Sequence, residues 1–219
     1  MVGEKTHMSS AREEILARIR QACAGDAGST AASYAELTRQ YQQTAKLSRE
    51  EILALLTERL IEYDAHVYRA REAEVAAVCG ELFAQRNAKR IVVPKDLPAA
   101  WQCGAEFVAD DDLDARVLDR FDGVMTAATL AIAETGTIVL QNARAQGRRA
   151  ISLVPDYHLC VVREQDVVET VVEGMRLLEA ARHFPTTLFS GPSATADIEM
   201  TRIKGVHGPR FVDVVILGA

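Results

Sequence analysis

Short, unbroken apolar runs separated by amphipathic stretches constrain this chain more than any other feature of its sequence. Ile91-Val92-Val93, closed by Pro94, and the run from Phe211 to Leu217 are β-branched and nearly free of polar residues. A strand of that composition has no face to give to water, so it reads as one covered on both sides. The covering layers are present as helical spacing. Ile52, Leu55, Leu56, Leu60 and Ile61 recur along 49–63, and Val75, Val78, Cys79, Leu82 and Phe83 along 72–87. Strand and helix patterns alternate through the middle of the chain, which predicts parallel βαβ units. The expected class is α/β, a mostly parallel sheet with flanking helices.

Taken in order, Ser10 with Glu13 forms a capping box that starts a helix over 11–23, and Ser48 with Glu51 repeats it for the helix over 49–63. The polar, Gln-rich stretch between them lacks periodicity and reads as a long arm able to wrap a partner. This divides the chain into a helical extension over 1–64 and an α/β domain over 65–219. Within the domain the patterns predict strands at 65–68, 90–94 and 106–109, a short helix at 96–101 and an acidic helix at 112–121. The apolar stretches 123–133 and 137–141, joined by Glu134-Thr135-Gly136, predict a hairpin with Gly136 at the bend. Strands at 150–154 and 158–162 flank Pro155-Asp156, a long amphipathic helix covers 166–183, and buried strands at 187–189 and 211–217 close the chain.

The charge balance narrows the possible partners. A net charge of -6, with no Lys/Arg-rich block, argues against a nucleic-acid surface. No apolar stretch reaches the ~18 residues a membrane helix needs, and the first ten residues lack a signal-peptide core, so a cytoplasmic location is expected. Cys23, Cys79, Cys103 and Cys160 are scattered without a C-x-x-C pair. Local spacing therefore builds neither a zinc knuckle nor an iron–sulfur site, and buried packing is the expectation for them.

Candidate chemistry concentrates near the end of the chain. Ser190-Gly191-Pro192-Ser193-Ala194-Thr195-Ala196-Asp197-Ile198-Glu199 follows an apolar run, as a functional loop at a strand's carboxyl end does. Gly205-Val206-His207-Gly208-Pro209 then holds a histidine on a tight turn before the last strand. Ser193, His207 and Asp197 suggest a hydrolase triad, but the second glycine of the G-x-S-x-G elbow is missing. His207, Asp197 and Glu199 with His158 or His183 suggest a metal site, but no H-x-x-x-H spacing supports it. Glu134, set between apolar strands, is a carboxylate that burial would tune, or a solvent-facing turn residue beside Gly136. Arg144, Arg148 and Arg149 offer donors to an anion from a loop beside Gly147. Neither the G-x-G-x-x-G fingerprint nor the Walker loop is present.

Four segments in this order, Ala133-Glu134-Thr135-Gly136-Thr137-Ile138-Val139-Leu140, Ser152-Leu153-Val154-Pro155-Asp156-Tyr157-His158, 191–199 and 205–209, resemble the LUD-domain family, and within it the lactate-utilisation protein C branch. The resemblance is close from about Phe121 onward and covers only the layout before it. It implies a sheet fold related to ribose-5-phosphate isomerase and CoA-transferase-like proteins. It also implies participation in a three-protein system oxidising L-lactate to pyruvate, with iron–sulfur clusters in cysteine-rich partner subunits and no cofactor in this chain. The family supplies no catalytic residue to carry over.

The expected site is therefore a pocket for a small carboxylate or a cofactor group. Ser190, Gly191, Ser193 and Thr195, with Gly205 and Gly208, would line it beside the loop of Glu134, Thr135, Gly136 and Thr137. Asp197 and Glu199 would orient the loop, and His207 or Glu134 would exchange a proton with the ligand. Two rivals stay open. One is an assembly subunit docking partners through 39–46, and the other an acyl- or CoA-transfer enzyme with Glu134 as nucleophile.

Overall fold

The computed structural model describes residues 11–24, 32–34, 36–195, 203–205 and 207–218. The chain divides into two compact units, Met1–Tyr41 and Gln42–Ala219. The first contains helix α1 (Ala11–Ala22), in which Ile15 and Ile19 are exposed and Arg18 pairs with Glu14 one turn away. Ser10, whose capping box was expected to start this helix, lies outside the described residues.

The second unit runs in the order α2 (Arg49–Glu62), β1 (His66–Arg71), α3 (Val75–Gln85), β2 (Arg90–Val93), β3 (Glu106–Ala109), α4 (Ala115–Leu118), β4 (Gly123–Ala127), β5 (Leu130–Ile132) and β6 (Thr137–Leu140). It continues with α5 (Arg149–Leu153), β7 (Tyr157–Arg163), β8 (Val167–Val168), α6 (Val171–Glu179), β9 (Thr187–Phe189), β10 (Ala194–Thr195), β11 (Ile203–Lys204) and β12 (Phe211–Gly218). Six strands form a wholly parallel sheet in the order β1-β12-β7-β4-β2-β3. Strand β12 is thus inserted between the edge strand β1 and β7. Four others form a smaller mixed sheet, β8-β5-β6-β9, and β10 pairs only with β11.

The period-2 alternation of the central strands explains the layering. Leu159 and Val161 of β7 and Val215 and Leu217 of β12 face one side, where they meet Val75, Cys79, Leu82 and Phe83 of α3. Cys160 and Val162, with Val214 and Ile216, face the other side. There they meet Ile52, Leu53, Leu56 and Leu60 of α2 and Ala131, Ile138 and Leu140 of the smaller sheet. Both faces of the main sheet are covered, as its composition requires. Helix α2 therefore belongs to this unit's core rather than to an N-terminal extension. Ser48 and Glu51 cap it reciprocally, as their spacing predicted.

Several expected elements change. The stretch 123–133 is two strands in two sheets: the chain leaves β4 at Ala127, and Ala128 N donates to Val161 O while Thr129 N donates to Val139 O. Residues 149–153 are a helical turn, not a strand, because only Ile151 of its apolar residues is fully buried, against Val92, Leu118, Phe121 and Val124. The helix expected over 166–183 is shorter. A 3-10 turn over Glu164–Asp166 and strand β8 precede it, and Thr170 with Glu173 forms the capping box that starts α6. The acidic helix of 112–121 contracts to α4, capped by Asp114. Strand β9 is an edge strand rather than a buried one, and Leu188 is 52% exposed.

The start of the second unit is not a loose arm. The Glu169 carboxylate accepts from Gln42 Nε2 at 2.5 Å, Lys46 N at 2.6 Å and Leu47 N at 2.8 Å. Glu173 accepts from Ala45 N at 2.8 Å, and Arg176 donates to Gln43. These bonds lay 42–47 along the start of α6.

Candidate functional site

The hydroxyl- and glycine-rich segments do converge, but at the amino ends of β7 and β12 rather than at the carboxyl ends of the main sheet. Strand β9 runs into Ser190 and Gly191. Gly191 has φ +89, and a Cβ there would lie 2.5 Å from the carbonyl oxygen of Tyr63, so the turn admits only glycine. The β10–β11 hairpin, with Ala194 opposite Lys204, returns the chain to Gly205. Ser193 pins the two segments together. Its N–H donates to Pro209 O at 2.9 Å, its carbonyl accepts from Gly205 N at 2.8 Å, and its hydroxyl accepts from His207 N at 3.1 Å.

Between these segments, α5 and the start of β7 lies a hollow of about 370 Å³. Ser190, Gly191, Ser193, His207 and Gly208 line one side; Arg149, Ser152 and Leu153 of α5 line another; His158, Phe189 and Val212 complete it. A neighbouring depression shares Arg149, His207 and Gly208 and adds Gly205. His207 is exposed in the hollow, and its bond to Ser193 runs through the backbone N–H, not the imidazole. That is a turn contact and not the side-chain pairing a serine nucleophile needs. Thr195 is placed in β10, but its side chain, and Asp197 and Glu199, lie outside the described residues.

Arg149 is exposed, and among the described residues its guanidinium has no hydrogen-bond or ion-pair partner. Its neighbour is used differently. Arg148 donates to both oxygens of Asp110, at 2.6 and 2.9 Å, and holds that carboxyl below the usual carboxylate range. Of the three arginines singled out in the sequence, Arg149 reaches the hollow and Arg148 is structural.

His158 sits at the inner wall, 2% exposed, with its ring 5.2 Å from that of Phe189. Its Nε2 lies 2.8 Å from Thr126 Oγ1, and the Thr126 hydroxyl donates to Cys160 Sγ at 3.8 Å. Burial pushes His158 down to about 4, so the imidazole is neutral at physiological pH. In the sequence His158 reads as a structural or ligand-facing residue opening a strand, or as a metal ligand; its place opposite the hydroxyl of β4 depends on the register of β4 and β7.

Glu134 does not join the hollow. It is exposed, and Oε2 accepts from Val171 N at 3.2 Å, so it caps the start of α6. Gly136, at φ +60, packs against the backbone of α2, as the expected bend requires. A chain of hydroxyls links this turn to the hollow's wall: Thr135 Oγ1 lies 2.7 Å from Thr137 Oγ1, which lies 2.9 Å from Ser190 Oγ. His183 stacks on Phe184 with ring centroids 4.3 Å apart and lines no part of the hollow.

A second polar cluster escaped the sequence. Asp213, buried within the apolar run of β12, accepts from Arg86 and from Tyr157, with His66 Nδ1 3.3 Å away. The signal was an acid in an otherwise apolar strand, which burial permits only with partners. Cys79 and Cys160 are buried and their thiols are pushed up to about 12, whereas Cys23 and Cys103 are exposed, contrary to the expectation of packing. Among the described residues no three His, Cys, Asp or Glu side chains gather as a metal site, and no helix is long and apolar enough to cross a membrane.

The LUD domain family matches residues 108–217. The chain is 41% identical to "Lactate utilization protein C" of Deinococcus radiodurans over 214 residues, 96% of this chain and 97% of that one. It is 28% identical to "Lactate utilization protein C" of Anoxybacillus flavithermus over 184 residues, 78% of this chain and 82% of the other. A crystal structure of a DUF162 family protein from Deinococcus radiodurans superposes with a TM-score of 0.69 at 38% identity, covering 79% of this chain and 100% of that one. The chain belongs to the LUD-domain family.

Proposed function

We propose that this chain serves lactate utilisation by binding a small carboxylate, within a system in which cysteine-rich iron–sulfur partners carry the electrons from L-lactate to pyruvate. The names of its relatives support the first part. The observation that carries the second is Arg149: an arginine without a partner among the described residues stands on a hollow whose lining includes Ser152, Ser190, Ser193 and His207. A guanidinium and several hydroxyls match a carboxylate bearing a neighbouring oxygen.

Calorimetric titration of L-lactate into the full chain tests this reading. Binding is expected in the wild type and should weaken by about tenfold or more in Arg149→Ala, the loss of one charge-assisted contact. Absence of binding both alone and in the reconstituted system with its partners would overturn it. Two observations favour this reading over its rivals. Residues 42–46 of the arm assigned to partner docking are bound to Glu169, Glu173 and Arg176 of the same chain. Glu134, the nucleophile of an acyl transfer, faces a helix end and no hollow.

A further inference from the structure

The hydrogen-bond partners behind the hollow bear on which end of His158 a ligand meets. Thr126 Oγ1 has one proton and lies 3.8 Å from Cys160 Sγ and 2.8 Å from His158 Nε2; with that proton directed at the sulfur, the oxygen accepts from Nε2. A neutral imidazole carries one N–H, so with Nε2 donating to Thr126, Nδ1 is a bare lone pair. Among the described residues Nδ1 has no partner, although the residue is 98% buried by its 2% exposure and lines the hollow. Nδ1 is not among the buried atoms left without a partner, so it opens to solvent at the hollow; a ligand seated there displaces that solvent, and one that lacks a donor leaves the acceptor unpaired.

We propose that His158 Nδ1 is a specificity-determining acceptor, which makes the hollow select carboxylates that carry a hydrogen-bond donor on the adjacent carbon: a 2-hydroxy acid over the corresponding 2-oxo acid. This rests on the carboxylate site proposed above. A hydroxyl at that carbon donates to Nδ1, whereas a keto oxygen opposes its lone pair to that of the ring, and a methylene leaves the ring unsatisfied. Thr126 touches no ligand and acts as a positioning residue by holding the tautomer. An interaction of this kind discriminates more sharply than size does, because the wrong ligand leaves a buried polar atom unpaired.

L-lactate, pyruvate and propionate titrated into the full-length wild type, Thr126→Val and Thr126→Ser separate the possibilities. The wild type should bind L-lactate about tenfold more tightly than either of the others. Thr126→Val, which frees Nε2 and allows the proton to move to Nδ1, should shrink that preference to about twofold or less, and Thr126→Ser should restore it. Nitrogen NMR of His158 should report a protonated Nε2 and an unprotonated Nδ1 in the wild type and a mixture in Thr126→Val. Should Thr126→Val fail to fold, the wild-type ligand series and its NMR tautomer decide the matter. Equal affinity of the wild type for all three acids, or a protonated Nδ1, would overturn the selection by His158 and leave the carboxylate site standing. Failure of all three to bind would overturn both.

Discussion

Tyr157 donates its phenolic hydrogen to Asp213 Oδ2 at 2.9 Å, from the first residue of β7 to the third of the neighbouring β12, with the two residues 2% and 1% exposed. Arg86, at the end of α3, grips the same carboxylate through Nη2 at 2.7 Å and stacks over the rings of Tyr157 and Phe211. Helix α3 is thereby tied to both central strands through one buried charge. Removing the arginine leaves that charge without its cation, and the penalty for an uncompensated buried ion exceeds the worth of the pair itself. Arg86→Ala should destabilise the fold by about 3–5 kcal/mol in urea titration. A loss below about 1 kcal/mol would mean that His66 and Tyr157 suffice for Asp213.

The buried imidazole sets an acid limit. The folded-state value of His158, about 4, lies below its ordinary value near 6.5, so between these values the unfolded chain binds a proton that the fold rejects. Its contribution is complete above about pH 6.5 and declines as pH falls toward 4, by on the order of 3 kcal/mol. Urea midpoints measured at pH 7 and pH 4.5 should diverge in the wild type and diverge less in His158→Gln. Parallel behaviour of the two proteins would show that other groups drive the acid transition.

What the sequence revealed and what it hid follow from how local the determining forces are. Strands β7 and β12 and helices α2 and α3 were legible because burial on a face leaves a periodic trace in the residues themselves. The turn of α5 was not, since Ala150-Ile151-Ser152-Leu153-Val154 is as apolar as a short strand and periodicity over five residues separates the two poorly. The start of α6 was placed at 166 instead of after Thr170, because the preceding valines merged with its apolar stripe. Ser190, Ser193, His207 and Gly208 were found together because glycine and hydroxyl residues mark turns. Glu134 was misplaced into the site because a carboxylate between apolar strands looks buried until the turn's direction is known. Thr126, lost in an apolar run, and Arg149, one of three loop arginines, gain their places only from pairings between distant strands.

Gly136 offers a check on the junction between the two sheets and α2. Its φ of +60 is unfavourable for any side chain, and a Cβ would lie 2.8 Å from that of Arg59 and 3.0 Å from the carbonyl carbon of that residue. Gly136→Ala combines a left-handed backbone with an overpacked helix contact and should cost about 2–4 kcal/mol, lowering Tm by about 5–15 °C. An unchanged Tm would mean that α2 yields freely at this point, against its fully buried Leu56 and Leu60.

Glu169 is the clasp that holds 42–47 onto the domain, and its consequences can be followed by proteolysis. The carboxylate is 7% exposed and accepts two backbone N–H groups, from Leu47 and Lys46, together with the Gln42 amide, and these bonds hold it below the usual carboxylate range. The sign follows directly: a depressed value means that the clasp is closed above the ordinary carboxylate range and opens as pH falls and Glu169 takes up a proton. Glu169→Ala removes the acceptor at every pH and strands the two N–H groups, a local cost of about 1–3 kcal/mol. Trypsin should therefore cut after Lys46 about tenfold faster in Glu169→Ala than in the wild type at neutral pH, because cleavage there requires the segment to lift. Hydrogen exchange at the Lys46 and Leu47 amides should rise in step, and in the wild type the corrected protection of these amides should weaken as the solution is acidified below about pH 4.5. If the amides of Glu169→Ala stay as protected as those of the wild type, Glu173 and Arg176 alone hold the segment, and the clasp lies one turn further along α6.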